Sequence, residues 1–437
     1  MGAVSRRRFL SLASAAVGGV GAGCAGMGGS DSVKSGDGPI AFWSNHPGQS
    51  TAVERELINR FQRQFPGLSV KLIDAGMDYD EVAQKFNAAL IGTDVPDVVV
   101  LDDIWWFHFA LSGVIAPLDD LFGQLGVDTG DYVDSLLADY EFEGRHYALP
   151  YARSTPLFYY NKPLWNKVGL PDRGPQSWQE LDDWGPRLQR VVGAGNSAYG
   201  WANAELISWT FQGLNWALGG AYSDKWTLRF TDPNTIAAGD FYRDSVHIKD
   251  YAAIATDVAN EFATGILASA VASTGSLMGI TNTAKFDFGA APLPTGPGGA
   301  PACPTGGAGL AIPTKLSEER KLNALKFIAY VTNPRNTAYF SRHTGYLAVR
   351  KSAVKEPSEQ KYLAANPRAR VALEQLPHTR PQDYARVFLP GGDRIISAGL
   401  ESIGLRGADV PKTFASIEKR LQVILDRQVK RKLQRHG

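Results

Sequence analysis

The chain has 437 residues, with 45 Lys and Arg against 44 Asp and Glu and a formal net charge of +1. That length allows two domains, each able to bury its own core, and the balanced charge excludes the basic face that nucleic-acid binding requires. Rings are plentiful (10 Trp, 16 Tyr, 20 Phe) within a globular composition that is 20% charged.

Residues 1–24 read as an export signal. Ser5-Arg6-Arg7-Arg8-Phe9-Leu10 is a twin-arginine start, and the apolar run Leu10 to Val20 is too short to span a bilayer. Gly21-Ala22-Gly23-Cys24 follows as a lipoprotein cleavage site, with Gly21 where a large aliphatic residue is usual. Ala25–Gly38 is a flexible Gly/Ser-rich tether. Residues 1–24 hold three Arg and no acid, so their removal leaves 42 basic and 44 acidic residues, a charge of −2. With Cys24 carrying lipid, Cys303 has no partner and no disulfide is expected.

The folded body begins with a strand at Pro39–Trp43 and a turn at Asn45–Gln49. Thr51-Ala52-Val53-Glu54 has the pattern of a capping box. The helix it opens repeats apolar residues at Leu57, Ile58, Phe61 and Phe65 and stops at Pro66-Gly67. A strand at Leu68–Ile73 and a helix at Tyr79–Ile91 lead into Thr93–Asp103, an apolar β-branched run that reads as a strand buried on both faces. This alternation predicts an α/β, doubly wound domain. Ligands of open α/β sheets lie beyond the carboxyl ends of the strands. Asp102 and Asp103 should therefore reach a cleft, although one could instead cap the next helix, and the sequence does not separate them.

Trp105–Leu111 reads as helical, and Glu143–Tyr147 as a turn into the strand Tyr147–Tyr151. Pro156–Asn161 is a further strand, and Trp178–Val192 a helix capped by Ser177. Ala202–Gly219, rich in Trp, Phe and Gly, suits a cleft wall. Helices near Thr235–His247 and Asp257–Ala270 fill a second lobe. Ala291–Gly309 is too dense in Pro and Gly to be regular and should carry the chain back to the first lobe. Helices then run to the end, the last amphipathic through Phe414, Ile417, Leu421, Ile424 and Leu425. No His pair has metal-ligand spacing, and no phosphate loop or nucleophile elbow occurs in the folded body. The pattern points to binding rather than turnover, with no cofactor or metal.

Five segments occur in an informative order: Asp94-Val95-Pro96-Asp97-Val98-Val99, Gly113-Val114-Ile115-Ala116-Pro117-Leu118-Asp119, Gly144-Arg145-His146-Tyr147-Ala148-Leu149-Pro150, Phe158-Tyr159-Tyr160-Asn161-Lys162 and Ser177-Trp178-Gln179-Glu180-Leu181. Together they resemble the family-1 extracellular solute-binding proteins of ABC importers, the maltose-binding-protein type, and within it the branch that takes glycerophosphodiesters and glycerol phosphate. The resemblance implies a two-lobed periplasmic-binding-protein fold of type II, each lobe a mostly parallel sheet flanked by helices, with ligand trapped between them by hinge closure. It also implies the division 1–38 for signal and tether, 39–153 plus 308–348 for lobe I, and 154–307 plus 349–437 for lobe II. The expected partners are a small glycerophosphodiester, glycerophosphocholine above all, and the permease subunits of the importer. The expected setting is extracytoplasmic, with a monomer held to the membrane through lipid on Cys24.

Carried over by resemblance, the ligand contacts are Tyr79, Asp103, Ser154, Trp209, Ser273, Gly307, Tyr346 and Arg386, with Leu206 where glycerol-3-phosphate binders carry a second tryptophan. The chemistry is consistent. A guanidinium fork suits a phosphodiester, a carboxylate suits vicinal hydroxyls, and ring faces suit a quaternary ammonium. Each has a plainer alternative: Arg386 could pair with Asp383, and Trp209 could be core beside Phe211 and Trp216. Two other functions compete. A neutral-sugar binder would not need Arg386 buried in its cleft, and a glycerophosphodiesterase would need the metal cluster that the sequence lacks.

Overall fold

The computed structural model describes residues 38–92, 94–297 and 302–436. The export signal, Cys24, the tether as far as residue 37, and Thr93 lie outside them.

Two five-stranded sheets build two lobes. From one edge, the first sheet runs Val70–Asp74, Ile40–Ser44, Val98–Asp102, Gly306–Ala311 and Ala148–Ser154. The second runs Ala252–Ile254, Tyr199–Trp201, Ser269–Ser273, Pro156–Asn161 and Phe288–Ala291. In each sheet one strand is antiparallel to both of its neighbours: Gly306–Ala311 in the first and Pro156–Asn161 in the second. These are the strands that enter from the other lobe. The chain passes from Ser154 through Thr155 to Pro156, and returns from Pro304 through Thr305 to Gly306. A strand arriving from the cleft starts beside the carboxyl ends of its neighbours, so it must run backwards among them. The crossings lie side by side: Gly306 pairs with Ser154, and a third passage joins when the Leu347 amide donates to the Arg153 carbonyl at 2.7 Å.

Val98, Val99, Val100 and Leu101 are fully enclosed, as an apolar β-branched run between two helical layers should be. The first lobe packs Phe42, Leu57, Phe61, Val98, Leu310 and Phe327 together. The second has an aromatic core in which Trp178 and Trp201 stack at 5.8 Å. A third cluster joins Trp106 and Phe107 to Val387 and Phe388 near the cleft, with Phe107 and Phe388 stacked at 4.2 Å.

Four local expectations are corrected. Glu54 does not close a capping box: the helix Thr51–Gln64 starts after Ser50 with no side-chain cap. Glu54 instead turns into the lobe, accepting from Ser44 Oγ at 2.7 Å and Tyr151 Oη at 3.2 Å and pairing with His46. Buried donors outcompete a backbone amide that water could serve. The helix expected over Asp257–Ala270 is Val258–Thr264, ended by Gly265 in the left-handed conformation, and Ser269–Ser273 is the central strand of the second sheet. Gly306–Ala311, placed in irregular chain by its glycines, is a strand. There the glycines admit rings, since a Cβ on Gly306 would lie 2.6 Å from Trp209 and one on Gly309 2.8 Å from Tyr140. Finally, Tyr199–Trp201, Ala252–Ile254 and Phe288–Ala291 are strands that the sequence reading left unassigned. Each has only three or four residues, too few to show an alternation.

Candidate functional site

The carboxyl ends of the strands converge between the lobes on a cavity of about 380 Å³. Tyr79, Asp103, Ser154, Leu206, Trp209, Ser273, Gly307, Tyr346 and Arg386 all line it. The strand ends supply Ser154 and Ser273, and Asp103 follows Val98–Asp102 directly. Tyr79 opens the helix Tyr79–Ala89, whose cap is Asp78. Tyr346 follows Gly345, the left-handed cap of Pro334–Thr344. The Tyr79 and Tyr346 hydroxyls meet at 3.4 Å.

The two neighbouring aspartates have different tasks. Asp102 Oδ1 accepts the amides of Ile104 and Trp105 at 3.3 and 3.2 Å, so it caps the turn while still facing the cavity. Its enclosure, and then the adjacent Asp103 carboxylate, push its pKa up to about 8. Asp103 is buried and accepts from Arg153 Nη1 at 2.5 Å and from Gln382 Nε2 at 2.8 Å. Arg153, itself fully buried, also binds Asp139 and Tyr140. Burial opposes its charge, but Asp103, Tyr140 and Asp139 outweigh that and raise its pKa.

Arg386, 6% exposed, lies in the short helix Tyr384–Val387. It does not pair with Asp383, whose carboxylate instead takes Trp216 Nε1 at 3.0 Å and the Tyr222 amide at 2.7 Å. Arg386 donates from Nε to Ser208 Oγ at 3.0 Å and from Nη1 to Gln382 Oε1 at 2.5 Å. Among the described residues no carboxylate lies within ion-pair distance of it, and Nη2 makes no hydrogen bond. A buried guanidinium with one unused nitrogen at a cavity wall is prepared for an anionic oxygen.

Trp209 is buried and donates from Nε1 to the Thr305 carbonyl at 2.8 Å, which places its ring against the crossing at Gly306. Leu206 is the residue before the helix Ile207–Ala217 rather than part of it, yet it lines the same cavity as Trp209. Most of that helix is core rather than cleft wall. Gly307 has φ +103, and a Cβ there would lie 2.0 Å from the Ala152 carbonyl oxygen. No other residue type fits that backbone without displacement.

Sequence reasoning missed several lining residues, notably Asp78, Asp80, Glu205, Asp393 and Arg394. Asp80 accepts Trp105 Nε1 at 2.6 Å and pairs with Arg394 across the mouth. Asp78 and Asp80 flank the start of a helix that follows a strand, a pattern that could have flagged them; nothing in the sequence marks Arg394.

A family model for the bacterial extracellular solute-binding protein matches residues 45–338. The crystal structure of UgpB from Mycobacterium tuberculosis in complex with glycerophosphocholine is 82% identical, with a TM-score of 0.88 over 90% of this chain and 100% of that one. The sn-glycerol-3-phosphate-binding periplasmic protein UgpB of Salmonella typhimurium is 26% identical over 383 residues, 83% of this chain and 87% of the relative. Maltose-bound MalE3 of T. maritima shares the fold, with a TM-score of 0.75 at 24% identity over 89% of this chain and 100% of that one. Two α/β lobes around a polar, ring-walled cavity and these likenesses lead to one statement: the chain belongs to the bacterial extracellular solute-binding proteins, which are ligand-capturing components of ABC importers rather than enzymes.

Proposed function

We propose that this chain captures glycerophosphodiesters, glycerophosphocholine first among them, and that Tyr79, Asp103, Ser154, Leu206, Trp209, Ser273, Gly307, Tyr346 and Arg386 make the contacts. The observation that carries this reading is Arg386, enclosed in the cavity without a carboxylate partner and with Nη2 unused. A neutral sugar gives such a cation nothing to bind; a phosphodiester does. The rest of the lining favours a zwitterion over glycerol-3-phosphate. Asp78, Asp80, Asp102, Asp103, Glu205 and Asp393 share the lining with Arg386 and Arg394, and Arg153 behind it is divided between Asp103 and Asp139, so carboxylates remain in excess even when Asp102 is protonated. That field opposes a phosphate monoester dianion but tolerates a phosphodiester that carries its own quaternary ammonium. Trp209 offers the ring and Leu206 the aliphatic neighbour for that group.

The relative at 82% identity, whose crystal structure is a complex with glycerophosphocholine, supports the same ligand. The twin arginines, Cys24 and the Ala25–Gly38 tether support export followed by lipid anchoring, and we propose that the anchored protein is a monomer. The two sheets change over at the crossings near 154 and 306, which supports lobes at 39–153 plus 308–348 and 154–307 plus 349–437, with residues 349–352 still bonded to the first lobe. Calorimetric titration of residues 39–437 with glycerophosphocholine, glycerol-3-phosphate and maltose tests the proposal. Glycerophosphocholine should bind most tightly; saturation by maltose with no heat from glycerophosphocholine would end it.

A further inference from the structure

Between the two charged groups assigned to the ligand sits a residue with no assigned role. Gln382 is 4% exposed and precedes the helix that carries Arg386. Its Oε1 accepts from Arg386 Nη1 at 2.5 Å and from Gln212 Nε2 at 3.0 Å, and its Nε2 donates to Asp103 Oδ2 at 2.8 Å. One amide thus joins the cation in the second lobe to the carboxylate at the strand end of the first.

The direction of that amide is fixed from outside. The backbone N–H of Asp383 can only donate, and it donates to Gln212 Oε1 at 3.1 Å. Gln212 must then present Nε2 to Gln382, so Gln382 must present Oε1 to Gln212 and Arg386. The only end left for Asp103 is the N–H₂ end. Arg153 holds the other oxygen of Asp103 at 2.5 Å and keeps that carboxylate an acceptor. Every group in the row from Asp383 N to Asp103 is used, and reversing any one of them would set two acceptors or two donors face to face.

We propose that Gln382 is the positioning residue that makes ligand capture and lobe closure one event. Held by Gln212, it presents Oε1 to Arg386 and its N–H₂ to Asp103 of the opposite lobe, so one amide both aims the cation at the phosphodiester and receives the other lobe's carboxylate. This inference rests on the assignment of Arg386 and Asp103 to the ligand.

The test uses Gln382→Met and Gln382→Glu, each titrated with glycerophosphocholine at pH 8 and pH 5 beside the wild type, with a thermal melt to confirm folding. Gln382→Met removes all three bonds and should weaken binding by about tenfold or more. Gln382→Glu has the same shape with the wrong polarity. The charged groups around it are Asp103, Asp139, Glu141 and, behind them, Arg153 from the first lobe, and Arg380, Asp383 and Arg386 on its own segment. Ionised, the glutamate faces the Asp103 carboxylate and should cost about tenfold to a hundredfold. Protonated, it again donates to Asp103 and accepts from Arg386. Because acids outnumber bases around it, it should protonate on the way to pH 5, and the ratio of variant to wild-type affinity should recover there. A packing role alone would not produce that recovery. A Gln382→Met that binds like the wild type, or a Gln382→Glu deficit equal at both pH values, overturns the inference. A wild type that takes up no glycerophosphocholine removes the ligand assignment and this inference with it.

Discussion

Replacing Arg386 by Met separates binding from stability. Met is of similar length but carries neither charge nor donors. The change deletes the bonds to Ser208 and Gln382 and the unused Nη2 that faces the cavity. A charge-assisted hydrogen bond to the ligand is worth roughly 1.5–3 kcal/mol, so affinity for glycerophosphocholine should fall by about tenfold to a hundredfold. The fold should barely respond. Arg386 forms no ion pair and hydrogen-bonds only neutral partners, so replacing it by an apolar side chain removes little that holds the fold. Gln382 Oε1 also keeps its bond from Gln212. The melting temperature of the ligand-free protein should therefore stay within about 2–4 °C of the wild type, the shift that 1 kcal/mol produces in a domain of this size. Arg386→Lys, which keeps charge but not the planar fork, should fall between the two in affinity. Calorimetry and a ligand-free melt on the three proteins decide it. Unchanged affinity would remove Arg386 from the ligand, and a large drop in melting temperature would make it a structural residue instead.

Leu206→Trp adds a second ring beside Trp209 and should shift the affinity ratio from glycerophosphocholine toward glycerol-3-phosphate; an unchanged ratio would mean position 206 does not set ligand choice. Gly307→Ala forces a side chain onto backbone at φ +103, 2.0 Å from the Ala152 oxygen. Strain alone costs roughly 1–3 kcal/mol, so the melt should shift down and binding should be lost with it. His46 has its pKa raised by its hydrogen bond to Glu54, so the pair's contribution is complete below about 6.5, the unfolded value, and disappears as pH rises through the higher native value. The melting temperatures of wild type and His46→Asn should therefore differ most near pH 6 and converge in alkaline buffer.

The first lobe was largely legible because its elements obey periodic rules. Val98–Leu101 reads as a buried strand and is one; in the second lobe Ser177 caps its helix as its residue type suggests, accepting the Glu180 amide at 3.1 Å. The second lobe was legible in its helices but not its sheet. Its strands are short, and Ser269–Ser273 is too alanine-rich to carry a β signature, so it was absorbed into the preceding helix. Gly306–Ala311 was misread because glycine breaks structure in isolation, whereas here it makes room for Trp209 and Tyr140. The same limit applies to the cavity. Motif resemblance located lining residues on strand ends (Ser154, Ser273) and on helices (Tyr79, Trp209, Arg386) alike, but Gln382 and Arg394 act through partners hundreds of residues away in sequence, and no local pattern encodes such a contact.

The three adjacent passages between the lobes act as a short axle. Because Ser154 pairs with Gly306 and Leu347 is bonded to Arg153, one lobe can swing against the other but cannot slide past it. In a swing, travel grows with distance from the axle. Ser154 and Gly307 sit on the crossings and barely move, whereas Asp80 and Arg394 ride on helices at the mouth and travel furthest. The inner wall is thus a fixed gauge against which any ligand is measured, and the mouth is a jaw. On the proposed function, residues at the axle would set the size of what fits, and residues at the jaw how long it stays.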